Sequence, residues 1–272
     1  MQSVSNQNSK TAEPVPPWAQ GLWRRHSMRQ EGGLVDDTTQ VFWAQTPTLF
    51  ADVRIPAERP DTAGKTSLAD YDDDGLLLLA RQQGFAGSLP IDGQICRWQR
   101  AIDYQPTRPW LDEAAMFREG DNLIEIGIHD NYFEDYTLVD DGGGRFLALD
   151  CPEQKQLLVV VGSRFLFVRD REMALPDGAE LADLVAEAEP AEKRALLDCE
   201  FSLGHGLDGD DLWQIELSTL PFREGQPLFA ASSWRFDLEG QRAVETTDAG
   251  TRVWTVYSCT LNQDALSRLF PS

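Results

Sequence analysis

Gln40-Val41-Phe42-Trp43-Ala44-Gln45-Thr46-Pro47-Thr48-Leu49-Phe50-Ala51-Asp52-Val53-Arg54-Ile55-Pro56 decides the fold. Residues 41–46 and 49–55 read as two strands, parted at Pro47 and closed by Pro56, because proline has no N–H to give to a ladder. Side chains alternate along a strand. Leu49, Ala51, Val53 and Ile55 therefore make an apolar face, and Phe50, Asp52 and Arg54 make the opposite one. That second face meets either solvent or a polar lumen. Inside a lumen Arg54 would need a carboxylate partner, because an unpaired buried charge is strongly destabilising.

The same period continues on both sides. Residues 22–29 form a first strand ending at Gly32-Gly33. Further strands fall at 85–89, 95–103, 114–118, 123–129, 132–139, 146–149, 157–161 and 165–169. Such close spacing, with turn residues between, is the signature of an all-β barrel or sandwich. A helix occupies the second half of 67–83. Beyond Pro176 the spacing of Leu181, Leu184, Val185 and Ala188 is helical, and Pro190 opens a second short helix ending near Asp198. Strands return at 199–203, 212–218, 229–236, 242–246 and 253–259, and a terminal helix starts at Asn262 and stops at Pro271. The expected fold class is all-β: an antiparallel lipocalin/calycin-like β-barrel with a helical connector and a second β unit. Residues 1–17 are expected to be a disordered tail, 18–172 the barrel, and 173–272 the connector with the second unit.

Composition narrows the partners. The 272 residues carry 45 acidic against 24 basic side chains, a formal charge of −21. So acidic a surface repels phosphate backbones and anionic lipid heads, which argues against nucleic acid and membrane surfaces. No apolar run approaches the roughly 20 residues of a membrane-spanning helix. Cys96, Cys151, Cys199 and Cys259 lie far apart without CxxC spacing, so reduced thiols and a cytoplasmic location are expected.

Two motifs tempt and fail. Asp70-x-Asp72-x-Asp74-Gly75 matches half a calcium loop, but Arg81 stands where a bidentate glutamate is needed. A helix N-terminus explains these carboxylates better. Gly64-Lys65-Thr66 lacks the earlier glycine of a phosphate loop and reads as surface. There is no GxSxG or HExxH.

The candidate site comes from residues sharing strand faces. Glu125, Gly127 and His129 point one way, and Tyr132, Glu134 and Tyr136 share a face a few residues on. Gly127 leaves room for a close approach, as at a ligand's edge. Trp98 and Arg100 share a face within 95–103, and Trp43 lies on the strand beside Arg54. The expected ligand-binding set is Trp43, Phe50, Asp52, Arg54, Trp98, Arg100, Glu125, His129, Tyr132 and Glu134. No metal site and no cofactor are expected.

Asp36-Asp37-Thr38-Thr39-Gln40-Val41-Phe42-Trp43, Leu49-Phe50-Ala51-Asp52-Val53-Arg54-Ile55-Pro56, Gln83-Gly84-Phe85-Ala86-Gly87, Cys96-Arg97-Trp98, Glu125-x-Gly127-x-His129-x-x-Tyr132-x-Glu134 and Leu217-Ser218-Thr219-Leu220-Pro221 together resemble a family of uncharacterised bacterial proteins. That family is similar in pattern to fungal lipocalin-like double-barrel proteins that interact with a casein kinase. The resemblance implies a calycin-type architecture and transfers no catalytic residue. Tyr136 departs from it, standing where a tryptophan is expected.

The leading expectation is a cytoplasmic barrel that binds a small apolar or aromatic ligand, whose carboxylate Arg54 or Arg100 could hold. One alternative is an enzyme using His129 with Glu125 or Glu134 for acid–base chemistry. A haem barrel with His129 as axial ligand is a minor variant. The other is a filled barrel without catalysis that binds a protein partner through its acidic surface.

Overall fold

The computed structural model describes residues 13–206, 213–229 and 232–270. The tail up to residue 12, Leu212, residues 230–231 of the expected strand 229–236, and Pro271 lie outside the described residues.

Two antiparallel sheets make up the β structure described. The first holds β1 (Gly21–Gln30), β2 (Val35–Asp36), β3 (Gln40–Gln45), β4 (Leu49–Ile55), β5 (Gln83–Ser88), β6 (Ile91–Asp92), β7 (Ile95–Arg97), β8 (Gln99–Asp103), β9 (Glu113–Glu119), β10 (Asn122–Gly127) and β11 (Tyr132–Asp140). The second holds β12 (Phe146–Cys151), β13 (Gln156–Val161), β14 (Arg164–Arg169), β15 (Glu200–His205), β16 (Gln214–Ser218), β17 (Ser233–Asp237), β18 (Arg242–Thr247) and β19 (Gly250–Cys259). Four α-helices accompany them among the described residues: α1 (Asp73–Ala80), α2 (Leu181–Glu187), α3 (Pro190–Leu197) and α4 (Gln263–Leu269).

The first sheet runs β6-β7-β9-β10-β11-β1-β3-β4-β5-β8. β7 lies next to one end of that order, inside the two-residue β6, and β8 lies at the other end, yet only Trp98 separates them in the chain. The sheet must therefore curl until its two edges meet at Trp98, giving a half-barrel. The single strand expected over 95–103 is in fact two, because the chain turns at Trp98 from pairing with β9 to pairing with β5.

β4 shows why the curl is stable. Ala51, Val53 and Ile55 pack against Val159, Val161, Leu166 and Val168 of the second sheet. Phe50, Asp52 and Arg54 point the other way, into the half-barrel, and Phe50 and Asp52 are buried. Both faces of β4 are thus covered, which settles the solvent-or-lumen choice for the lumen. Gly84 of β5 lets the sheets approach, since a Cβ there would meet the Phe201 ring at 2.8 Å.

The α1 helix is capped as its carboxylates suggest, since Asp72 Oδ1 accepts from the Gly75 amide at 2.9 Å, and Asp70 closes a capping box with Ser67 on the preceding 3-10 turn Leu68–Asp70. α2 and α3 join β14 to β15 and close the inter-sheet core beside α1 through Leu76, Leu79, Leu181, Val185 and Leu197. Asn262 caps α4, as its position implies. The inner face of the second sheet is filled by Trp213, Trp234 and Trp254 with Leu266, Leu269 and Phe270.

Two boundaries move. Val15 is buried and its amide bonds Pro47 O at 2.8 Å, so packing begins before Trp18. β12 to β14 belong to the second sheet, so the sheets divide across the Gly142–Gly144 turn rather than near residue 172. Strand spacing alone cannot show this, because a tight turn within one sheet and a crossing between two look alike in sequence.

Candidate functional site

The interior of the half-barrel has two storeys. The lower one is closed by aromatic rings. Trp43 meets Trp98 with ring centroids 5.2 Å apart, Tyr136 at 6.2 Å and Trp23 at 6.2 Å, and Phe50 meets Trp98 at 4.9 Å. Met116, Leu123 and Cys96 fill the spaces between them. These edge-on and stacked contacts add to the burial of large apolar surfaces.

The upper storey is ionic. Arg25 Nη1 donates to Glu134 Oε1 at 2.6 Å, and its Nη2 donates to Asp36 at 2.5 Å. Arg54 Nε donates to Asp52 Oδ1 at 2.8 Å, and its Nη1 reaches the same Glu134 oxygen at 3.3 Å. Tyr136 donates to the other Glu134 oxygen. Arg25, Asp52 and Glu134 are all buried, so they exist as charges only because they are paired and hydrogen-bonded. Arg100 bonds Asp103 and Asp112 and lies over the Phe85 ring at 3.8 Å, with Arg54 at 5.0 Å from the same ring. Burial raises the Asp52 and Asp103 carboxyls, against the lowering pull of their arginines.

Glu125 sits directly across from Glu134 in the β10–β11 ladder. Tyr132 donates to its Oε1 at 2.7 Å. Its Oε2 is the one buried side-chain polar atom without a partner among the described residues that line the space above. Burial, then repulsion by Glu134, pushes the Glu125 carboxyl up, to about 8. Carboxylates facing each other across a ladder cannot both ionise cheaply.

That space is a cleft of about 750 Å³, within the usual range for small-molecule sites. Arg54, Trp98, Arg100, Glu125, Tyr132 and Glu134 all line it. Sequence reasoning thus placed six of its site residues on one cavity. It missed Arg25, Asp36, Asp103 and Asp112. The signal for Arg25 was there, since Trp23-x-Arg25 repeats the aromatic-then-ionic alternation of Phe50-x-Asp52-x-Arg54.

Four expected residues stand elsewhere. Trp43 and Phe50 belong to the aromatic floor, and Asp52 lies behind Arg54 as its counter-ion. His129 is half exposed, lies past the end of β10, and bonds Glu113 at 2.8 Å on the outside. It joins neither Glu125 nor Glu134, because β10 stops at Gly127 and the alternation stops with it. The acid–base arrangement on His129, and His129 as a haem ligand inside the barrel, are therefore corrected. The room expected beside Gly127 is not open either. A Cβ there would lie 2.3 Å from the Tyr132 ring, so the glycine exists to admit Tyr132.

Arg54 and Arg100 each already hold carboxylates of the protein. Each guanidinium lining the cleft already has a carboxylate within 4 Å: Arg81 has Glu58 and Arg108 has Glu180, besides the inner pairs above.

No protein-family model matches this chain, and no curated protein matches it significantly. Among solved structures it is similar to the uncharacterized protein YLR301w from Saccharomyces cerevisiae, with a TM-score of 0.56 and 12% identity over 88% of this chain and 98% of that one. At that identity the likeness speaks for the fold alone. No helix among the described residues is long and apolar enough to cross a membrane.

Proposed function

We propose that the chain is a lipocalin-like carrier or receptor for a small molecule, held in the upper storey of the half-barrel. The observation that carries this reading is the division of the interior. The floor is packed with rings, whereas the upper half keeps a cleft of about 750 Å³ walled by ordered ion pairs. An interior serving stability alone is better filled with apolar side chains, because a buried ion pair seldom outperforms them. The ion pairs are then read as fixed dipoles that orient a guest. The four unpaired cysteines support a reducing compartment, such as the cytoplasm, as its place of work.

Native mass spectrometry of freshly purified protein tests this. The expected result is an added mass that disappears on denaturation, or tryptophan quenching through Trp98 on titration with small aromatic compounds. A bare chain that answers to no compound in a broad aromatic panel would remove the carrier reading.

A second reading is favoured by the surface. With a charge of −21, and with Trp110 and Leu111 half or more exposed at the cleft's rim, the chain could also dock a basic protein partner. A kinase partner of the kind the fungal resemblance implies belongs to this second reading.

A further inference from the structure

The chemistry of the cleft selects among guests. The inner guanidiniums of Arg25, Arg54 and Arg100 are each held by carboxylates, and Arg81 and Arg108 make exposed pairs at the rim, so an anionic guest meets no free cation in the inner network. Carboxyl groups outnumber guanidiniums in the inner network, where Asp36, Asp52, Asp103, Asp112, Glu125 and Glu134 face Arg25, Arg54 and Arg100. The one unmet polar atom in its lining, among the described residues, is Glu125 Oε2, on a side chain 2% exposed. Tyr132 bonds the other oxygen of that carboxyl, and Trp98 lines the same cleft as an apolar wall.

We propose that the guest is a small amine, with its ammonium group donating to Glu125 Oε2 and its apolar or aromatic body against Trp98 and Tyr132. This rests on the carrier reading above and adds the sign of the guest's charge. Bringing an ammonium to Glu125 turns a carboxyl that is costly to ionise into one half of a pair, and its proton leaves to solvent. Tyr132 remains on Oε1, so the two carboxyl oxygens divide between one donor from the protein and one from the guest. The proposal departs from the expectation that the guest bears a carboxylate.

Three probes of one shape separate the possibilities: 2-phenylethylamine, 2-phenylethanol and 3-phenylpropionate, each titrated calorimetrically into the full chain. The amine should bind about tenfold more tightly than the alcohol, the worth of one hydrogen bond to a charged group. The propionate should bind most weakly. Glu125→Gln should cost the amine about tenfold and leave the alcohol within about twofold. Tyr132→Phe removes the hydroxyl whose hydrogen bond favours the ionised carboxyl, so the amine should weaken more than the alcohol, which gives a second variant should Glu125→Gln fold poorly. Propionate binding as well as the amine, or an amine indifferent to Glu125→Gln, overturns the amine assignment and leaves the carrier reading standing. Should none of the three bind, and nothing travel with the purified chain, the carrier reading falls and the amine assignment falls with it.

Discussion

Tyr132 donates its hydroxyl to Glu125 Oε1 at 2.7 Å and leaves Oε2 of the same carboxyl unpartnered. The contact depends on a third residue. Gly127 lies on the strand that carries Glu125, and its missing side chain is the space the Tyr132 ring fills. One hydroxyl cannot satisfy both oxygens, and across the ladder Glu134 is already held by Arg25, Arg54 and Tyr136. Glu125 is therefore the carboxyl of the facing pair whose ionised form the protein supports least.

Stability should fall as pH rises through this group. Glu125 is raised above its unfolded value, so its contribution is complete below the unfolded pKa and is lost as pH climbs through about 8. The groups that bear on it are Glu134 and Asp112, which raise it further, and Arg54 and Tyr132, which lower it. Cys96 and Tyr136 are themselves pushed up by burial and by Glu125. Replacing Glu125 with glutamine removes the titration. In denaturant unfolding from pH 5 to 9, the variant should gain on the wild type as pH rises, by about 2–4 kcal/mol in all. A gap that stays constant with pH would show Glu125 to be an ordinary carboxylate.

Gly127→Ala should dislodge Tyr132. The added Cβ would lie 2.3 Å from the tyrosine ring and 2.3 Å from the Asp130 carbonyl, and the latter is backbone and cannot swing away. Overpacking of this kind costs about 1–3 kcal/mol. The loss should appear as a lowered Tm and as increased solvent exchange of the Tyr132 hydroxyl by NMR.

Arg25 should be the most costly of the inner charges to remove. It neutralises both Glu134 and Asp36, and of these only Asp36 has partial access to water. Arg25→Leu leaves Glu134 with Arg54 at the longer distance of 3.3 Å. The expected loss is about 3–5 kcal/mol. Adding Glu134→Leu should restore at least half of it, because removing both charges leaves no buried ion uncompensated. Urea unfolding of the wild type, the two single variants and the double variant measures this coupling.

The strands were legible because alternation is local. Residues 41–46 and 49–55 carry their own pattern, and Pro47 and Pro56 mark their limits. The ionic storey was only half legible. Asp52 and Arg54 could be placed on one face, but a face with ionised residues reads as solvent unless something covers it. What covers it is the curl of the sheet, and the curl depends on β7 and β8 lying on opposite sides of the strand order. Nothing in the run 95–103 announces that its hydrogen bonds change partner at Trp98. Arg25 and Glu134 lie 109 residues apart, so no spacing rule could pair them. His129 failed for the opposite reason: a local rule was carried two residues past the end of its strand.

His129→Ala should be nearly silent. The imidazole lies outside the barrel against Glu113, which Arg97 also contacts, and exposed pairs of this kind contribute about 0–1 kcal/mol. The variant should unfold within about 0.5 kcal/mol of the wild type and bind every probe unchanged. A large loss of binding would return the histidine to the cleft and contradict its position at the end of β10.

Trp98 and Trp254 allow the two sheets to be tested against each other. Both are large, buried and set among other rings: Trp98 against Trp43, Phe50 and Phe85, and Trp254 against Trp234. Truncating either to alanine should cost about 3–5 kcal/mol, so stability alone cannot tell them apart. Binding can. Trp98 is both the corner where the first sheet closes and a wall of the cleft, so Trp98→Ala should lose probe affinity even where the variant is fully folded. Trp254 faces the filled side of the second sheet and bonds Glu245 there, so Trp254→Ala should keep its affinity. The reverse result would move the guest to the second sheet. The hollow of about 460 Å³ beside α4, lined by Trp234, Phe236 and Phe270, would then be the place to look.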